Sequence, residues 1–117
     1  MKKQEVTEHT VTGKKIIFHD GKVVDFEFPI AKTVACGECL VVLLDVPIGM
    51  KFNENVSGID CNGRVLWQIE KKKYVYEDSP YTEISQKEGN IVLYNWDGLE
   101  IVVDPKTGRI VEEKYGK

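Results

Sequence analysis

No stretch of ten residues in this chain repeats its apolar side chains every 3.6 positions, whereas short apolar runs recur again and again between turn-forming dipeptides. That pattern leaves strands and hairpins as the only regular structure the chain can build at length. The turns are signalled at His19-Asp20-Gly21, Gly37-Glu38, Cys61-Asn62-Gly63, Asp97-Gly98 and Asp104-Pro105-Lys106-Thr107-Gly108. Asn-Gly is the strongest of these because both residues tolerate positive φ, while Pro105 presets its own φ and Gly108 supplies a left-handed position. Strands are therefore predicted up to Val11 and over residues 15–18, 22–28, 31–36, 39–46, 56–60, 64–70, 91–96, 99–103 and 109–114. In the third of these, Val24, Phe26 and Phe28 alternate with Val23, Asp25 and Glu27, which gives one apolar face. The run 39–46 is apolar on both faces and is expected in the middle of a sheet. Residues 47–55 show neither period and read as a long loop whose Met50 and Phe52 either tuck back into the core, the favoured reading because exposed apolar loops are a liability unless used, or present an apolar contact. Residues 71–84 hold three tyrosines and a bend at Ser79-Pro80. The expected fold is all-β: a single domain, residues 1–117, with an antiparallel meander of about ten strands.

Aligning the turns on their glycines exposes a repeat. His19-Asp20-Gly21-Lys22-Val23-Val24 matches Cys61-Asn62-Gly63-Arg64-Val65-Leu66 and Lys106-Thr107-Gly108-Arg109-Ile110-Val111. The spacing of roughly 40–45 residues is that of a propeller blade. The whole chain of 117 residues holds fewer than three such units, and a closed propeller needs at least about four blades. The strands must instead close as a curved sheet, a sandwich or a partly open barrel, or cover their edges by forming a homo-oligomer.

Several phrases carry a resemblance. They are Asn55-Val56-Ser57-Gly58-Ile59-Asp60, Gly63-Arg64-Val65-Leu66-Trp67-Gln68-Ile69-Glu70, Ser79-Pro80-Tyr81-Thr82, Tyr94-Asn95-Trp96-Asp97-Gly98 and Val103-Asp104-Pro105-Lys106-Thr107-Gly108-Arg109-Ile110. Taken in order, they resemble a family of small, uncharacterised bacterial cytoplasmic proteins. Residues 59–67 and 102–111 are also locally similar to blade motifs of quinoprotein-type β-propellers. The resemblance implies an all-β, propeller-blade-like fold and brings no catalytic residue, cofactor or quinone site with it.

Charge is unevenly spread along the chain. Residues 77–104 carry Lys87 against Glu77, Asp78, Glu83, Glu88, Asp97, Glu100 and Asp104, whereas the segments on either side are balanced or slightly basic. The only compact basic run is Lys71-Lys72-Lys73, too small for a phosphate-neutralising face, so no nucleic acid is expected as a partner. No apolar run approaches the roughly 18 residues of a membrane span, and the N-terminus turns polar where an export signal would turn apolar, so a cytoplasmic protein without membrane contact is expected. Cys36, Cys39 and Cys61 make an odd count. A redox CxxC motif of the thioredoxin kind needs a helix after its first cysteine, and here a strand follows. The simpler reading makes Gly37-Glu38 a two-residue hairpin turn flanked by small strand residues. His9 and His19 offer little for a nucleophilic triad, and no phosphate-loop, dinucleotide or zinc-protease motif occurs.

Function is expected to reside on the acidic segment. Tyr81, Tyr94 and Trp96, bordered by Asp78, Glu83 and Asp97, form the predicted partner-binding patch, because aromatic and acidic side chains together suit a surface rich in Arg or Lys. The chain then reads as a non-catalytic protein-binding domain without cofactor or metal. In its concrete form it is an immunity protein that plugs the basic active site of a toxin nuclease. One alternative is a small-ligand binder or enzyme using a concave sheet face and the 47–55 loop. Another is a thiol or zinc protein using Cys36, Cys39 and Cys61.

Overall fold

The computed structural model describes residues 9–72 and 78–115, and among these every regular element is a strand. Lys73, Tyr74, Tyr76 and Glu77 lie outside the described residues. Eleven strands form three antiparallel sheets, none closed into a barrel. The first sheet holds β1 (His9–Thr12), β2 (Lys15–Phe18) and β3 (Val23–Asp25). The second is a meander of β4 (Ile30–Cys36), β5 (Cys39–Leu44), β6 (Val56–Ile59) and β7 (Val65–Gln68). The third repeats that meander with β8 (Tyr81–Lys87), β9 (Asn90–Asn95), β10 (Leu99–Val103) and β11 (Ile110–Tyr115).

The doubly apolar run supplies the centre of the molecule, because β5 is buried at all six of its positions. Successive side chains on a strand point to opposite faces. Cys39, Val41 and Leu43 accordingly join Val56, Trp67 and Ile69 against Ile84, Ile91, Leu93, Leu99, Ile101 and Val103 of the third sheet. On the other face Leu40, Val42 and Leu44, with Ile59, pack against Ile16 and Phe18 of the first sheet. Val24, Phe26 and Phe28 all pack into that second cluster, as their alternation requires. The strand itself ends at Asp25, three residues short of the predicted 22–28, although the Phe26 N–H still donates to the Lys14 carbonyl at 2.8 Å in the register of the β2–β3 pair. The second sheet is thus the middle layer, covered on both faces.

The glycine repeat falls once per sheet. Gly21 turns β2 into β3, Gly63 turns β6 into β7, and Gly108 turns β10 into β11. At each turn an aspartate Oδ1 accepts a backbone N–H two residues on: Asp20 from Lys22 at 3.0 Å, Asp60 from Asn62 at 2.9 Å and Asp104 from Lys106 at 2.9 Å. Gly63 and Gly108 also seat the neighbouring sheets. A Cβ on Gly63 would lie 2.8 Å from Val24 Cγ2 of the first sheet, and one on Gly108 would lie 2.5 Å from Trp67 Cδ2 of the second. Trp67 is further held by Gly58 beneath it and by its Nε1–H donating to the Pro105 carbonyl at 2.7 Å. Gly108 therefore has two reasons to lack a side chain, its φ of +75° and the indole resting on it.

Strand β8 is an element that sequence reading left unassigned. A bulge between Tyr81 and Glu83 breaks its alternation, and its turn into β9 uses Glu88 at φ 52° before Gly89 at φ 83°, an I′ turn without the usual Asn or Asp.

Candidate functional site

The meander topology sorts the connections to two ends of the sandwich. At one end lie the loop from β5 to β6, the approach to β8 and the turn from β9 to β10. Buried Asn55 ties this end together: its Nδ2 donates to the Leu44 carbonyl at 2.8 Å and the Tyr81 carbonyl at 2.9 Å, and its Oδ1 accepts the Tyr81 N–H at 2.8 Å. Buried Asn95 does the same for the next turn, donating to the Ser79 carbonyl at 2.7 Å and accepting from Asp97 N–H at 3.0 Å. Asp97 Oδ1 in turn accepts the Leu99 N–H at 3.0 Å, and the Trp96 N–H donates to the Pro80 carbonyl at 3.0 Å.

On this braced turn the Trp96 side chain stands 65% exposed. Tyr94, 37% exposed, stands on the outer face of the third sheet, paired across strands with Glu83 and Glu100. The 47–55 loop adds to the same end. Its Pro47 carbonyl accepts the Met50 N–H at 3.1 Å around Gly49, and the turn projects Ile48, 104% exposed, and Met50, 48% exposed. Phe52 alone of the two expected residues tucks back, its ring 5.4 Å from that of Phe28. Met50 stays outside because the tight turn at Gly49 carries it away from the core.

The expected patch is therefore corrected at one residue and extended at two. Tyr81 is only 2% exposed and belongs to the core between the second and third sheets, so it presents nothing to a partner. The bulge explains this: Tyr81 pairs with Asn95, whereas Glu83 pairs with Tyr94, so two residues that a regular strand would place on one face lie on opposite faces. Trp96, Tyr94 and Glu83 are exposed, and Asp78 and Asp97 half-buried, at this end and the adjoining face. Glu83 Oε1 accepts the Ile84 N–H at 2.9 Å and meets Lys32 Nζ at 3.1 Å, and these contacts hold its carboxyl below the usual range. Ile48 is the member sequence reading missed, and Met50 takes the apolar-contact alternative instead of the favoured one; the signal for both was present in the Pro47-Ile48-Gly49-Met50 turn.

At the opposite end, the hairpin turns of the second and third sheets converge around a cavity of about 520 Å³. Cys36, Glu38, Cys39, Asp60, Leu66 and Lys106 are among its lining residues, and none of them comes from the 47–55 loop that the ligand-binding alternative invoked. Gly37 at φ +63° followed by Glu38 at negative φ makes the connection between β4 and β5 a two-residue II′ turn, as its sequence predicts. Burial, and then the negative charge that Cys36 can carry, push the Cys39 thiol up to about 11. The three cysteines do not assemble: Cys36 and Cys39 belong to the core cluster facing the third sheet and Cys61 to the one facing the first. Among the described residues no group of three or more His, Cys, Asp or Glu side chains could hold a metal ion, which overturns the zinc alternative as drawn from those cysteines.

The family model described as "Domain of unknown function (DUF7957)" matches residues 6–115, nearly the whole chain. The chain belongs to that family. The match to DUF7957 begins just before β1 and ends with β11, so all three sheets lie within it. Among curated proteins no match to the chain is found. Among the described residues no helix is long and apolar enough to cross a membrane.

Proposed function

We propose that this chain is a non-catalytic protein-binding domain whose contact surface is the end carrying Trp96, Tyr94, Ile48 and Met50, rimmed by Asp78, Glu83, Asp97 and Glu100. The observation that carries the reading is the exposure of Trp96 on a turn whose backbone is fixed from both sides by Asn95, Asp97 and Pro80. An exposed indole on a rigid turn loses little conformational freedom on binding and buries a large area, the property of an interface anchor. Aromatic groups beside carboxylates select a partner rich in Arg and Lys, through cation–π contacts and charge complementarity. A basic protein is the partner class, and a toxin nuclease neutralised by a cytoplasmic immunity protein is its concrete form. The recurrence of the glycine turn in all three sheets, with the first sheet's Val24 resting on Gly63 of the second and the second's Trp67 on Gly108 of the third, supports the likeness to propeller blades used as a binding scaffold.

The test is capture from native cell extract with the wild-type chain, Trp96→Ala and the triple reversal Asp78→Lys, Glu83→Lys, Asp97→Lys. A captured basic protein that is lost with both variants, while their thermal unfolding matches wild type, supports the proposal. Equal capture by all three chains sinks it.

A further inference from the structure

We propose that Cys36 and Cys39 form a reversible intramolecular disulfide, so that the cavity at the hairpin end is a thiol–disulfide exchange site for small disulfides. The two residues are directly opposite each other across the II′ turn, and opposite residues in an antiparallel pair point to the same face. Two-residue hairpins leave such partners about 5.5 Å apart at Cα, inside the window a disulfide requires. Both residues line the same cavity. The pair is asymmetric in the way exchange needs. Cys36 is half-buried, and its sulfur is held at the cavity wall by an N–H from Gln86 Nε2 at 3.2 Å and by the Gly89 carbonyl at 3.6 Å. Cys39 is buried behind it, and its raised thiol keeps its proton at neutral pH. An incoming reagent therefore meets Cys36 first. A cavity of about 520 Å³ admits a molecule of small-peptide size, and Lys106 and Glu38 in its wall suit one that carries both carboxylate and ammonium groups.

The exchange balances with a low-molecular-weight disulfide RSSR as the oxidant. The Cys36 sulfur, its proton released to solvent, attacks one sulfur of RSSR, forming Cys36–S–S–R and expelling RS⁻, which takes a proton from solvent. The Cys39 sulfur then attacks the Cys36 sulfur, the second RS⁻ departs with the Cys39 proton, and the Cys36–Cys39 bond closes. The protein has lost two hydrogens and RSSR has become two RSH. Because the bond closes only the short loop through Gly37 and Glu38, it constrains the unfolded chain little and is readily reduced again.

The experiment equilibrates the full chain across a graded series of reduced and oxidised glutathione, quenches with acid, and reads free thiols and intact mass. The expected result is loss of two of the chain's three thiols with a mass decrease of two hydrogens, mapped to Cys36–Cys39 by peptide analysis and reversed by excess reduced glutathione. Cys61→Ser should behave as wild type, and Cys39→Ser should stop at a stable glutathione adduct on Cys36. Cys39→Ala gives the same adduct readout if serine disturbs the core. Three free thiols throughout the series, or a disulfide that maps to Cys61 or links two chains, would overturn the proposal. In a Trp96→Phe background, the emission of Trp67, packed in the same cluster as Cys39, should be quenched reversibly on oxidation, and unchanged emission counts against the bond.

Discussion

Asn55 shows how much one polar side chain contributes to this fold. It is buried, makes three hydrogen bonds, and joins the end of β5, the start of β6 and the start of β8. Replacing it by alanine leaves the Leu44 and Tyr81 carbonyls and the Tyr81 N–H without their partner. Asn55→Ala is expected to destabilise the chain by about 2–4 kcal/mol, read as a lowered urea midpoint with an unchanged slope. Cys39 gives the second prediction at this scale. Its thiol titrates at about 11 in the folded chain against 9.0 for an ordinary cysteine, so folding favours the protonated form. That contribution is present in full below pH 9.0 and is lost as pH rises from there through about 11. Urea midpoints of the reduced protein should fall over this interval more steeply for wild type than for Cys39→Ala, and parallel curves would remove Cys39 as the cause. The local sequence marked Cys39 only by its CxxC spacing and did not mark Asn55 as a brace, because the burial of one and the three bonds of the other depend on which strands meet beside them.

At the scale of elements, β5 links the two core clusters, one on each of its faces. The first sheet covers Leu40, Val42, Leu44 and Ile59 with Ile16 and Phe18, and Val24, Phe26 and Phe28 pack against the same cluster. A chain beginning at Pro29 is therefore expected to expose that apolar face. It should bind an apolar dye and associate in solution more strongly than the full chain; a truncation that matches the full chain in both would show that the third layer is dispensable. The strands themselves were largely readable, since the hairpins at Gly37-Glu38 and Asn62-Gly63 need only local chemistry to form. β8 was not, because its bulge and its Glu88-Gly89 turn depart from the alternation and turn residues by which strands are recognised.

At the scale of the whole molecule, the two ends of the sandwich divide two kinds of chemistry, exposed aromatic, apolar and acidic side chains at one and a cavity lined by Cys36 and Cys39 at the other. If the partner is basic, as proposed, its association rate with this chain should fall as ionic strength rises, while the dissociation rate changes little. Surface-plasmon measurements with the purified partner over a salt series check this, and a salt-independent rate would assign binding to the apolar side chains alone. Composition and turn chemistry were enough to specify an all-β chain, a thrice-repeated glycine turn and a doubly apolar central strand, because those features depend on neighbours within a few residues. Which side of a sheet Tyr81 and Cys61 occupy, whether Met50 tucks in, and where a cavity opens were settled only by the stacking of the sheets. A single bulge reverses the facing of every residue beyond it, and a glycine becomes a docking seat only when another sheet's Trp67 or Val24 arrives to rest on it.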